Sequence, residues 1–112
     1  MPVLRKDRGG GAVLEVARPP VNALDDEMVL ALESVFTELA LNSPTGVVLT
    51  GEGSVFSAGV DVRAFASYTS ERRRKMVLAI TRMTAAALSI RCPMVAAING
   101  HALDGGFVLS LC

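Results

Sequence analysis

Gly46-Val47-Val48-Leu49-Thr50-Gly51 is a short, uninterrupted apolar run rich in β-branched residues. Such side chains are stiff and pack well on a pleated surface, so the run predicts a strand. Its lack of polar alternation predicts burial on both faces, as in a parallel sheet covered by helices. Just upstream, Asn42-Ser43-Pro44-Thr45-Gly46 is turn chemistry. Further back, Met28, Leu32, Val35, Phe36 and Leu39 recur at helical spacing and predict a helix over 26–40. Asp25 is its expected N-cap, and Asp26 and Glu27 put negative charge at the positive end of the helix dipole. Before that helix, Gly9-Gly10-Gly11 leads into Ala12-Val13-Leu14-Glu15-Val16, a predicted strand closed by the rigid Pro19-Pro20.

Downstream of the central run, a loop is expected from Glu52 to about Tyr68. Ser70 then introduces a helix over 71–90, whose expected apolar face is Met76, Val77, Ile80, Met83, Thr84, Ala87 and Leu88. Arg72-Arg73-Arg74-Lys75 lies in its first turns, where positive charge opposes the dipole. That basic run reads as a solvated face, and Met76 and Met83 read as core filling. Pro93 closes the element, Met94-Val95-Ala96-Ala97-Ile98 is the next predicted strand, and Asn99-Gly100 turns the chain. From Gly105, the pattern Phe107, Val108, Leu109 and Leu111 starts an apolar helix. Alternating strands and helices place the chain in the α/β class with βαβ units.

Apolar residues at 51% and charged residues at 20% describe a globular chain, and 112 residues suffice for one domain. Eleven basic side chains balance eleven acidic ones, which removes the electrostatic argument for nucleic acid or an anionic membrane surface. The longest apolar stretch, from Met76 to Ile90, is interrupted by Arg82 and falls short of the roughly 20 residues that span a bilayer. Met1-Pro2-Val3-Leu4-Arg5-Lys6-Asp7-Arg8 has no apolar core of the signal-peptide kind. Cys92 and Cys112 are too few for a disulfide scaffold, so the reducing cytoplasm is the expected compartment. With His101 as the one histidine, no transition-metal site is expected. His101 itself reads as a structural hydrogen-bonding residue, and Cys92 as a packed one.

Two glycine-bearing segments follow predicted strands: Phe56-Ser57-Ala58-Gly59-Val60-Asp61 and Asn99-Gly100-His101-Ala102-Leu103-Asp104-Gly105-Gly106. Strand ends are where α/β folds bind ligands, and glycine lets the backbone present its amides closely. Commoner glycine motifs fit poorly. Phe56 stands where a dinucleotide fingerprint after Gly51-Glu52-Gly53 needs its third glycine, and Gly106-Phe107 stands where a phosphate loop needs Lys and Ser or Thr. No Gly-x-Ser-x-Gly elbow is present.

Taken in order, three motifs resemble the crotonase superfamily, the enoyl-CoA hydratase/isomerase family. They are Arg18-Pro19-Pro20-Val21-Asn22-Ala23-Leu24, then Phe56-Ser57-Ala58-Gly59-Val60-Asp61-Val62, then Pro93-Met94-Val95-Ala96-Ala97-Ile98-Asn99-Gly100-His101-Ala102-Leu103. The resemblance implies a crotonase-like (ClpP/crotonase) spiral of ββα units, with residues 1–112 as the N-terminal portion of one domain that continues further. It implies an acyl-CoA thioester substrate and an enolate held by two backbone amides, those of Ala58 and Gly105. Preorganised donors aimed at the thioester oxygen stabilise the transition state more than the ground state. Asp61 is expected to cap the backbone beyond the first segment and so order the Ala58 amide. The resemblance places Val21, Ala23, Ser57, Asp61 and Val62 along the coenzyme A arm, and offers Arg18 as a phosphate contact. It implies no metal or separate cofactor, and a homotrimer or hexamer for the full-length protein.

Two positions depart from the family pattern. Val108 stands where hydratases carry the first of two glutamates; the second lies beyond Cys112. Val108 cannot move a proton, which favours a Δ3,Δ2-enoyl-CoA isomerase over a hydratase. Asp104 replaces a small residue before the oxyanion glycine. It reads first as a helix cap and second as a replacement acid or base. The rival reading of the whole is a non-catalytic acyl-CoA-binding or assembly remnant.

Overall fold

The computed structural model describes residues 3–18, 22–53, 55–57, 59, 61–96 and 101–102. Strands β1 (Val3–Arg8) and β2 (Gly11–Val16) form an antiparallel hairpin closed by the Arg8–Gly11 pair. Gly9 and Gly10 turn it with φ of 56° and 85°, the positive pair that a two-residue primed turn demands and that glycine adopts without strain. β1 was not expected from periodicity. All its residues after Val3 are exposed and most are charged, so no apolar alternation marks it.

Helix α1 (Asp26–Leu41) starts where the sequence predicts, and Asp25 Oδ1 accepts the Met28 amide at 2.8 Å. Met28, Leu32, Val35, Phe36 and Leu39 are buried, joined by Val29. The helix carries the chain from β2 to β3 (Val47–Gly51), which pairs parallel to β2. On the far side β3 pairs parallel with β5 (Met94–Ala96), giving the order β1-β2-β3-β5. The expectation that β3 is covered on both faces needs correction. Val47 and Leu49 are buried, but Val48 between them is 37% exposed. Its neighbours in the register, Val13 and Val95, lie on the same face, and Val95 is 60% exposed. One face of this sheet meets the helices; its β-branched residues serve propensity on the other.

The expected loop 52–68 contains two short elements, β4 (Val55–Ser57) and α2 (Val62–Ser67). Helix α3 (Ser70–Leu88) follows, with Thr69 as N-cap in place of Ser70 and an end two residues earlier than expected. Its buried stripe is Met76, Ala79, Met83 and Ala87, whereas Val77 and Leu88 are exposed. Ala79 and Ala87 share this stripe with Met76 and Met83 where α3 packs against α1, so burial follows the facing helix rather than side-chain size alone. Leu14, Val16, Val47 and Leu49 of the sheet join α1 and α3 in one hydrophobic cluster.

β6 (His101–Ala102) pairs parallel with β4 in a second, two-stranded sheet. The chain therefore runs β1-β2-α1, β3-β4-α2-α3, β5-β6, the ββα succession expected of the fold. In the second and third units, the first strand joins the large sheet and the second joins the small one.

Candidate functional site

The segment after Val16 folds back over the segment after β4. The Leu24 amide donates to the Gly59 carbonyl at 2.7 Å, and the Asp61 amide donates to the Leu24 carbonyl at 2.8 Å. One residue of the first segment thus grips two positions of the second. Asn22, fully buried, turns the first segment with φ of 53°. Asparagine tolerates this left-handed region better than other non-glycine residues. Its Oδ1 accepts the Arg18 amide at 2.9 Å and its Nδ2 donates to the Glu52 carbonyl at 2.9 Å. Ser57, also fully buried, donates its hydroxyl to the Asn22 carbonyl at 2.8 Å. The same oxygen accepts the Gly59 amide at 3.1 Å.

Charged groups lock the rim. Arg18 Nη1 donates to Asp61 Oδ2 at 2.7 Å and to the Ala23 carbonyl at 3.1 Å, while its Nε lies 3.5 Å from Asp25 Oδ2. Asp61 Oδ1 accepts the Ala64 amide at 3.1 Å and caps α2. That amide first, and Arg18 second, hold the Asp61 carboxyl below the usual aspartate range. Asp61, in turn, holds the Arg18 guanidinium above its usual value.

Helix α2 has no buried residue and is tethered at its ends. Arg73 donates to the carbonyls of Phe65 at 3.1 Å and Ala66 at 2.8 Å at the C-terminal end of α2; the Phe65 carbonyl also accepts the Tyr68 amide. Arg72 lies 3.9 Å from the centre of the Tyr68 ring and donates to Asp26 Oδ2 at 2.6 Å. The Tyr68 hydroxyl also donates to Asp26 Oδ1. Arg72 first, with Tyr68 assisting, lowers the Asp26 carboxyl, and burial raises the Tyr68 phenol. Half of the basic run expected to be solvated therefore binds α2 and the start of α1.

Of the expected site residues, Ala58, Gly105 and Val21 lie outside the described residues, as do Val108 and Asp104. Ala23, Ser57, Asp61 and Val62 come together around the stapled loop. Ser57 has no exposed surface, and its hydroxyl is engaged by the Asn22 carbonyl and the Gly59 amide. Asp61 supplies the expected cap, and Val62 is 72% exposed beside it. β6 brings in the second glycine segment: Ser57 pairs with Ala102 and Val55 with His101. The strand leading to position 58 and the strand leading to positions 103–105 therefore lie side by side and run the same way. The amides of Gly59 and Asp61 are already engaged within the protein. Sequence reading missed the pairing of Arg18 with Asp61; nothing in the spacing of 43 residues signals it. Among the described residues, no three His, Cys, Asp or Glu side chains are grouped to hold a metal ion. No described helix is long and apolar enough to cross a membrane.

Comparison with known proteins gives one consistent answer. Residues 7–112 match the family model for enoyl-CoA hydratase/isomerase. The peroxisomal bifunctional enzyme of Danio rerio is 38% identical over 102 residues, covering 89% of this chain and 13% of that protein. The glyoxysomal fatty acid beta-oxidation multifunctional protein MFP-a of Brassica napus is 34% identical over 106 residues, covering 91% of this chain and 15% of that protein. The crystal structure of enoyl-CoA hydratase from Bacillus anthracis superposes with a TM-score of 0.90 at 28% identity, covering 99% of this chain and 45% of that one. The chain thus spans less than half the length of these relatives.

Proposed function

We propose, from the premise that this chain belongs to the enoyl-CoA hydratase/isomerase family, that the whole protein acts on an acyl-CoA thioester and shifts a double bond. The parallel pairing of Ser57 with Ala102 carries the reading, because it brings the two glycine segments onto neighbouring strands. In this reading the Ala58 and Gly105 amides point at the thioester oxygen. Removal of the proton at carbon 2 of a 3-enoyl thioester leaves an electron pair that delocalises onto that oxygen. The proton is returned at carbon 4, the double bond moves into conjugation, and no water enters the product. A backbone donor of this kind is worth about 10²–10³ in rate.

The stapled loop supports the assignment. The Gly59 and Asp61 amides are held by Ser57 and Leu24 after position 58, and the pairing of Ser57 with Ala102 holds the strand before it. Ala23 and Val62 flank the same loop and would line the coenzyme A arm together with Val21. Isomerase is preferred to hydratase because Val108 has no proton to give or take.

The test is incubation of the whole protein with a 3-enoyl-CoA and, separately, with a 2-enoyl-CoA, each in heavy water. Conversion of the first to a conjugated 2-enoyl thioester, with no 3-hydroxyacyl product from the second, is the expected result. Rapid formation of 3-hydroxyacyl-CoA from the second would replace isomerase with hydratase. Binding of both without turnover or deuterium uptake would leave a non-catalytic acyl-CoA-binding protein.

A further inference from the structure

We propose that Arg18 is a positioning residue that sets the 57–61 loop, and not a ligand for the phosphates of coenzyme A. Its guanidinium joins the N-cap aspartates of two helices. Asp25 Oδ1 accepts the Met28 amide of α1, and its Oδ2 faces Arg18. Asp61 Oδ1 accepts the Ala64 amide of α2, and its Oδ2 accepts from Arg18. Each carboxylate thus caps a helix with one oxygen and meets the same arginine with the other. The backbone of Arg18 is held as well, its amide by Asn22 Oδ1 and its carbonyl by the Asn22 amide.

This arrangement suits a strut. One cation between two carboxylates leaves the cluster net negative, which disfavours a phosphate. The guanidinium fork matches carboxylates and is rigid, so replacement by lysine loses the geometry while keeping the charge. Asp61 is also bound through its amide to Leu24, so pulling on its side chain pulls on the backbone that follows Gly59. The inference rests on the reading that position 58 contributes an oxyanion donor, where a displacement of about 1 Å is enough to slow a reaction about 10²-fold.

The test compares the whole protein with its Arg18→Met, Arg18→Lys and Asp61→Asn variants. Each is assayed with an enoyl-CoA and with the matching enoyl-pantetheine, which lacks the nucleotide phosphates. Amide hydrogen exchange is followed over 57–61. A strut predicts kcat lowered about ten- to hundredfold on both thioesters, faster exchange over 57–61, and a similar loss for Arg18→Lys. It also predicts that Arg18→Met and Asp61→Asn together do little more harm than either alone. A raised KM for the CoA thioester only, with kcat kept and exchange unchanged, would make Arg18 a phosphate ligand and overturn the proposal. Should Arg18→Met fail to fold, Arg18→Lys decides by the same readouts. Absence of turnover in the parent protein defeats the enzyme reading alone. Exchange over 57–61 then still judges the strut: faster in the variants supports it, unchanged overturns it.

Discussion

The hydroxyl of Ser57 donates to the carbonyl of Asn22 at 2.8 Å across a sequence separation of 35 residues, with both residues fully buried. The same oxygen receives the Gly59 amide. One small side chain therefore satisfies a buried acceptor and a buried donor on two different segments. That is why a serine stands where burial alone favours alanine. Ser57→Ala leaves both backbone groups without these partners, at about 1–3 kcal/mol for an unmet buried group. Chemical denaturation of the whole protein is expected to show that loss, with turnover of an enoyl-CoA lowered as the 57–61 loop loosens. Unchanged stability would mean that water replaces the hydroxyl.

Asn22 combines a left-handed backbone with side-chain bonds to Arg18 and Glu52. The two contributions separate by substitution. Asn22→Gly keeps the φ of 53° without strain but forfeits the amide bonds. Asn22→Ala forfeits the bonds and adds a left-handed penalty of about 1–2 kcal/mol. The alanine variant is therefore expected to be less stable than the glycine variant by roughly that penalty. Equal midpoints in urea would show that the side-chain bonds decide alone.

Asp61 and Asp26 both hold their protons less tightly than free aspartate, Asp61 through the Ala64 amide and then Arg18, Asp26 through Arg72 and then Tyr68. A carboxylate with a depressed folded-state pKa binds fewer protons folded than unfolded. Its stabilisation is complete above the unfolded value of about 3.9 and is lost as pH falls through the folded value. Stability against urea is expected to be flat with respect to these two groups from neutrality to about pH 5, and to fall below that. Asp61→Asn keeps a capping oxygen but cannot titrate, so its acid loss is expected to be shallower. An identical acid limb in parent and variant would show that Asp61 does not contribute to it.

Legibility in the sequence followed the range of the interactions. Helix α1 and its Asp25 cap were readable because cap, dipole and apolar stripe all lie within one local window. β1 was not, because a charged, exposed edge strand has no periodicity; its one trace was the paired Gly9-Gly10. The β-branched run at Val47–Gly51 announced a strand but not the exposure of Val48, since propensity is blind to which face is covered. On α3 the large residues Val77 and Leu88 drew the eye while Ala79 was buried, because helix proximity is set by a partner helix. The glycine segments marked the site, and the β4–β6 pairing that joins them is tertiary. The Arg18–Asp61 contact has the same origin. No local pattern predicts that two N-cap aspartates will share one arginine.

Helix α2 is tied at both ends and packs on the core only through the half-buried Ala64 and Phe65, so it buries little surface of its own. Its buried residues are none, and its C-terminal carbonyls at Phe65 and Ala66 are met by Arg73 from the first turns of α3. Arg73 is exposed, so its two bonds compete with water and contribute about 1 kcal/mol or less. Elements with little buried surface open locally, at free energies below that of global unfolding. Arg73→Ala is therefore expected to speed amide exchange across 62–68 by up to about fivefold, while the urea midpoint of the whole protein moves little. The core amides of α1 and β3 should keep their rates, because Leu32, Phe36 and Leu49 are untouched. If exchange in α1 accelerates in step with α2, the two helices unfold as one unit and the end-tethered description fails. If neither changes, the Tyr68 anchor and the Asp61 cap hold α2 without Arg73. The positive charge that opposes the dipole of α3 would then have no compensating role at the end of α2.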